Sequence, residues 1–116
     1  MLLLFAAALL LVVLRRAGLI SAHAAREHLK KGALVIDVRT PGEYAAGHLP
    51  NAIHLPLGGI ETSLPKLVPD KNAVLLLHCQ SGARSGMAKR KLQAKGYAQA
   101  FNLGSLARAG RIVGGK

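Results

Sequence analysis

Positions 2–14 hold only leucine, alanine, valine and phenylalanine, and the run stops at Arg15-Arg16. A helix packed on a soluble core shows a polar face, and this run has none, so it predicts an apolar N-terminal helix. Beyond it the pattern changes to short apolar runs separated by polar, glycine- and proline-marked segments. Ser21 predicts an N-cap for a helix reaching about Lys31, with Ala22, Ala25 and Leu29 on one face and Gly32 as its stop. Ala33-Leu34-Val35-Ile36-Asp37-Val38 predicts a buried strand. Thr40-Pro41-Gly42-Glu43-Tyr44 turns into a short helix ending near Gly47. Asn51-Ala52-Ile53-His54-Leu55 predicts a second strand, leading to Pro56. Residues 58–67 predict a helix interrupted at Pro65, and Val68-Pro69-Asp70-Lys71-Asn72 a turn. A strand at 73–78 delivers Cys79, a helix at 85–95 stops at Gly96, and a last strand at 98–102 precedes a glycine-rich tail. Strands alternating with helices predict an α/β domain, a mainly parallel β-sheet flanked by helices, behind the N-terminal hydrophobic helix. Residues 1–19 form the hydrophobic segment and residues 20–116 the domain.

At 1.5 Å per residue, positions 2–14 rise about 20 Å, short of the roughly 30 Å hydrocarbon core of a bilayer. Continuing through Ala17-Gly18-Leu19-Ile20 lengthens the segment only by burying or snorkelling the arginines. An export signal wants a basic region before the apolar stretch, and only the terminal amine stands there. The one Ala-x-Ala sequence of suitable kind, Ala22-His23-Ala24, lies past both arginines. A membrane anchor through residues 2–14 therefore fits the pattern best. Charge on the C-terminal flank predicts a single pass of the inner membrane with the following domain in the cytoplasm. The alternative is cleavage and release to the periplasm.

Composition adds charge. The chain of 116 residues has a formal net charge of +11, with only Glu27, Asp37, Glu43, Glu61 and Asp70 as carboxylates. Two tyrosines, two phenylalanines and no nucleic-acid recognition motif accompany that excess, so it suits a membrane surface or a small anionic substrate better than nucleic acid. With a single cysteine there is no internal disulfide and no resolving thiol.

That cysteine is the chemical centre of the sequence. Val74-Leu75-Leu76-Leu77-His78-Cys79-Gln80-Ser81-Gly82-Ala83-Arg84-Ser85-Gly86 places it where an apolar strand ends and a short small-residue loop leads into a helix. Unpaired backbone N–H groups and the positive end of the helix dipole gather there, and both favour an anion. Free cysteine has a pKa of about 8.5, and such settings lower it to about 3.5–7.5. A cysteine merely closing a core strand needs neither the loop residues Ser81, Gly82, Ala83 and Ser85 nor Arg84, so the pattern points to a nucleophile.

The same stretches carry a family likeness. Leu34-Val35-Ile36-Asp37-Val38-Arg39, Glu43-Tyr44 and Gly47-His48-Leu49-Pro50-Asn51-Ala52 resemble the opening motifs of the rhodanese family. Cys79-Gln80-Ser81-Gly82-Ala83-Arg84-Ser85 resembles the active loop of its single-domain members, and Gly96-Tyr97 to Asn102-Leu103-Gly104 fits its close. The likeness, nearest to small phage-shock-type members, runs from about Ile20 to Leu106. Asn51 replaces a usual glycine, and the tail lacks the usual Gly-Gly and Trp, a change that bears on substrate preference.

The resemblance implies a rhodanese-like fold and sulfurtransferase chemistry. Cys79 would take a sulfane sulfur from a small anionic donor such as thiosulfate and pass it, as a persulfide, to cyanide, a thiol or a protein acceptor. No cofactor is implied. The N–H groups from Gln80 to Ser85 would cradle the negative charge, Gly82 would let the loop curl, and Arg84 would steady an oxyanion or brace the loop while lowering the thiol pKa. Asp37, Arg39, Glu43 and His48 are expected to support the scaffold. His78 should point away from the Cys79 side chain.

Other classes remain in view. Cysteine phosphatases and arsenate reductases share the layout but place the arginine six residues after the cysteine, whereas Arg84 is five after Cys79. The smaller loop suits one sulfur better than a tetrahedral phosphate. A non-catalytic, membrane-tethered binding module would keep the fold without needing Cys79 and Arg84. No Cys/His pair has metal-ligand spacing.

Overall fold

The computed structural model of the protein describes residues 2–16 and 18–115. Four parallel strands form the sheet: β1 (Leu34–Asp37), β2 (Ile53–His54), β3 (Leu75–His78) and β4 (Ala100–Gly104), in the order β2-β1-β3-β4. The register pairs Ile36 with Ile53 and Leu77, and Leu77 with Asn102. Parallel strands need helical crossovers, which cover both faces.

Helices α1 (Leu2–Arg16), α2 (Ala22–Lys30) and α3 (Pro41–Ala45) precede a single turn of 3₁₀ helix at Leu57–Gly59. Then come α4 (Ile60–Leu67), α5 (Ala83–Ala94) and α6 (Leu106–Val113). On one face Ile36, Leu75, Leu77 and Cys79 pack with Ile60 and Leu64 of α4 and Ala88 and Leu92 of α5. On the other, Leu76 and Leu103 pack with Ala25 of α2 and Ala109 and Ile112 of α6. Burial of these side chains, at about 25 cal/mol per Å² of apolar surface, drives the assembly.

Local signals predict much of this. The Ser21 hydroxyl accepts from the Ala24 N–H at 3.1 Å, as an N-cap should. Asn51 adopts φ +64, which accounts for the glycine usual at this position, since asparagine is among the few other residues that tolerate it. Because the chain is still turning there, with the Ala52 N–H on the Leu49 carbonyl, β2 is shorter than its apolar stretch.

Four expectations need correction. The tail is not a glycine-rich coil: Ser105 caps α6 by accepting from the Arg108 N–H, and Ala109 and Ile112 are buried. Pro65 does not interrupt α4, because the one bond it forfeits is outweighed by the burial of Ile60 and Leu64. Helix α5 begins at Ala83, since Gly82 at φ +103 ends the loop two residues early. Finally, α1 has fifteen residues and rises about 22 Å, and among the described residues no helix is long and apolar enough to cross a membrane.

Candidate active site

The carboxyl ends of the strands converge on Cys79. The β3 register puts its side chain in the core with Leu75 and Leu77, while Leu76 and, by alternation, His78 face the other way. The Cys79 N–H donates to the Gly104 carbonyl at 3.2 Å, and the Leu106 N–H to the Gln80 carbonyl at 3.3 Å, so β4 and the start of α6 hold the loop.

At the sulfur, the Gly82 N–H donates to Sγ at 3.0 Å and the Ser85 hydroxyl lies 3.6 Å away. Burial pushes the thiol up. The Ser85 hydroxyl and the N–H groups of Ser85, Gly82 and Ser81 outweigh it, and Cys79 is held below its ordinary value. Gly82 sits at φ +103, a conformation that side chains with a Cβ rarely adopt, so glycine suits this position.

Arg84 faces both Cys79 and Glu43. Its Nη1 and Nη2 donate to Glu43 Oε1 and Oε2 at 2.6 and 2.8 Å, a bidentate pair with both side chains about one-third exposed. Arg84 holds the Glu43 carboxyl down to about 2. The carboxylate is also fixed by its own helix: Oε1 accepts from the Thr40 N–H and hydroxyl, each at 3.0 Å, closing a capping box. The depression of the thiol comes from the loop's own donors, and Arg84 also hydrogen-bonds Cys79, which favours the arginine's charge.

A second network braces the loop from beneath. Arg39 grips the buried Asp37 carboxylate through Nε and Nη2 at 2.8–3.0 Å, and reaches the Gly47 carbonyl at 2.7 Å and Gln80 Oε1 at 3.2 Å. The Asp37 carboxyl is held low despite burial, which opposes it, because Arg39 bonds to it through both side chain and backbone. His78 Nε2 lies 3.8 Å from Asp37 and has no hydrogen-bond partner among the described residues, and burial holds this imidazole below its usual range. His48 supports the turn as expected, with Nδ1 at 2.9 Å from the Tyr44 carbonyl. Tyr44 is stacked between His48 and His54.

Sequence reasoning missed Asn102 as a site residue. From β4 its Oδ1 accepts from the Ser85 hydroxyl at 2.7 Å and the Gly104 N–H at 3.0 Å, and its Nδ2 donates to the Gly82 carbonyl at 3.0 Å. It is 2 % exposed, and a buried polar residue at the end of an apolar strand was the available signal. Gly86 gives it room, since a Cβ there would stand 3.3 Å from Nδ2. A separate surface hollow, lined by His28, Lys31, Leu34 and Val74, lies at the opposite end of the sheet from Cys79.

Comparison with known proteins agrees with this geometry. The sequence pattern of the Rhodanese-like domain matches residues 21–106. The thiosulfate sulfurtransferase PspE of Escherichia coli is 39% identical over 71 residues, 61% of this chain and 68% of that protein. A sulfurtransferase of Allochromatium vinosum is 39% identical over 70 residues, 60% of this chain and 64% of that protein. Among solved structures, an E. coli rhodanese with anions superposes with a TM-score of 0.64 at 36% identity, over 66% of this chain and 91% of that one. The human single-domain sulfurtransferase TSTD1 gives 0.63 at 28% identity, over 73% and 87%.

Proposed function

The chain belongs to the rhodanese-like domain family, and on that footing we propose that it carries sulfane sulfur on Cys79, from a small anionic donor such as thiosulfate to a thiophilic acceptor. It is a sulfurtransferase, in keeping with relatives of that activity at 39% identity. In the first half-reaction the Cys79 thiolate attacks the outer sulfur of the donor. A new S–S bond forms, the donor's own S–S bond breaks, and sulfite leaves with the electron pair. In the second, cyanide or a thiolate attacks the terminal sulfur of the persulfide and Cys79 departs as the thiolate. Electrons balance between donor and acceptor.

The observation that carries this reading is the set of donors around Sγ: the Gly82 N–H at 3.0 Å, with the Ser81 and Ser85 N–H groups beside it. Donors fixed in advance favour the negative charge of thiolate and persulfide alike. The test is the mass of the intact protein after thiosulfate treatment. It should gain one sulfur on Cys79 and lose it again on adding cyanide; a protein that gains none would sink the proposal.

A membrane attachment through α1 is a second reading, favoured by the exposure of Leu2, Leu3, Leu4, Phe5 and Leu9. An apolar helix followed by basic residues suits the interface of an anionic leaflet, with the catalytic domain on the cytoplasmic side. Export to the periplasm after cleavage is the competing outcome.

A further inference from the structure

The pairing of Arg84 with Glu43 bears on which sulfur donors the site prefers. Arg84 sits in the first turn of α5, close enough to Cys79 to hydrogen-bond it, and one N–H of each terminal nitrogen is given to Glu43. Glu43 does not depend on Arg84 for its position, because Thr40 holds Oε1 with two hydrogen bonds. The pair thus joins a carboxylate fixed on α3 to a guanidinium on the first turn of α5. Arg39 is taken up by Asp37, Gly47 and Gln80, and Arg108 by the Leu103 and Ile20 carbonyls.

We propose that Glu43 is a specificity-determining residue that competes with the donor for Arg84. The site thereby disfavours dianionic donors such as thiosulfate relative to organic persulfides. A dianion's sulfonate end needs a cation beyond the backbone N–H groups, and it meets in Arg84 a charge already offset by Glu43, with two of the five N–H groups given to that carboxylate. The ionised Glu43 carboxylate also repels the incoming dianion. A persulfide donor carries its charge near the reacting sulfurs, where the N–H groups of Ser81, Gly82 and Ser85 already point, and leaves the Arg84–Glu43 pair closed. This inference rests on the sulfurtransferase reading, which it refines.

Glu43→Gln is the direct test. The amide oxygen can keep the Thr40 bonds at Oε1, while the amide nitrogen replaces the acceptor facing Arg84 Nη2. The kcat/KM ratio for thiosulfate over 2-hydroxyethyl persulfide, whose only charge lies on the reacting sulfurs, should rise about tenfold, mainly through a lower KM for thiosulfate, the order expected when a charge-assisted hydrogen bond changes hands. An unchanged or lower ratio would overturn the proposal and leave Glu43 as a brace for Arg84. A second measurement leaves Glu43 in place. In ¹⁵N-arginine-labelled Cys79→Ser protein, the Arg84 side-chain N–H resonance should shift as thiosulfate is added. A resonance that stays put at saturating thiosulfate would equally overturn it. Failure of the wild-type protein to take sulfur from either donor would instead count against sulfur transfer, while the resonance would still report whether an anion draws Arg84 from Glu43.

Discussion

Asn102 Oδ1 lies 2.7 Å from the Ser85 hydroxyl, nearer than the Cys79 sulfur at 3.6 Å, so strand β4 competes with the nucleophile for a single proton. The Gly82 carbonyl, at 3.1 Å, is a third claimant. One hydroxyl proton cannot serve all three. Asn102 is the nearest acceptor of that proton, a thiolate draws it to the sulfur, and the Asn102 amide also bonds the Gly82 carbonyl.

Asn102→Ala should therefore release the Ser85 hydroxyl proton to the sulfur and lower the thiol pKa. Losing a buried amide also leaves the Gly104 N–H without its partner, at a cost of about 1–3 kcal/mol in stability. Thiolate absorbance near 240 nm, followed against pH in a variant shown to be folded, checks this. Titration indistinguishable from wild type would show that Asn102 serves only the fold.

Cys79→Ser should abolish cyanide-dependent thiocyanate formation, because the chain holds no other thiol. The substitution is nearly isosteric, so the melting temperature should move little. Turnover surviving in folded Cys79→Ser protein would contradict the persulfide route.

His78 predicts a pH dependence of stability. Burial lowers its folded-state pKa, with Asp37 opposing that shift and Arg39 adding to it. Below about 6.5 the unfolded chain takes up a proton that the folded chain refuses, so the contribution is complete above that value and is lost as pH falls. Denaturant midpoints should decline between roughly pH 6.5 and 5, before the carboxylates begin to titrate. His78→Gln should flatten that decline. A slope unaltered by the substitution would assign the effect elsewhere.

The membrane attachment proposed through the exposed apolar side chains of α1 predicts a protein that sediments with membranes and keeps an intact N-terminus. Cys79 should then react with an impermeant thiol reagent only after the membrane is broken. Labelling in intact cells, or a soluble protein beginning at Ala25, would identify the segment as an export signal.

Sequence alone determined the features that depend on short-range bonding and periodicity. The apolar runs fixed three of the four strands closely, Ser21 marked its helix start, and strand alternation turned Cys79 and His78 to opposite faces. The spacing from Cys79 to Arg84 set the loop, and Asp37 and Arg39, two positions apart, were legible as a pair. Helix α6 was also within reach, since Leu106, Ala109 and Val113 keep a helical spacing that the glycines of the tail obscured.

Tertiary structure decided who meets whom across the chain. Glu43 finds Arg84 across 41 residues, Arg39 finds Gln80 across 41, and Asn102 finds Ser85 across 17. These encounters follow from the strand order β2-β1-β3-β4, which brings the ends of β1, β3 and β4 together around one loop. No local propensity encodes them, because a carboxylate or amide takes whichever donor the packed sheet delivers. Hence the nucleophile could be read from its neighbours in sequence, while the groups that govern its proton and its arginine could be read only from its neighbours in space.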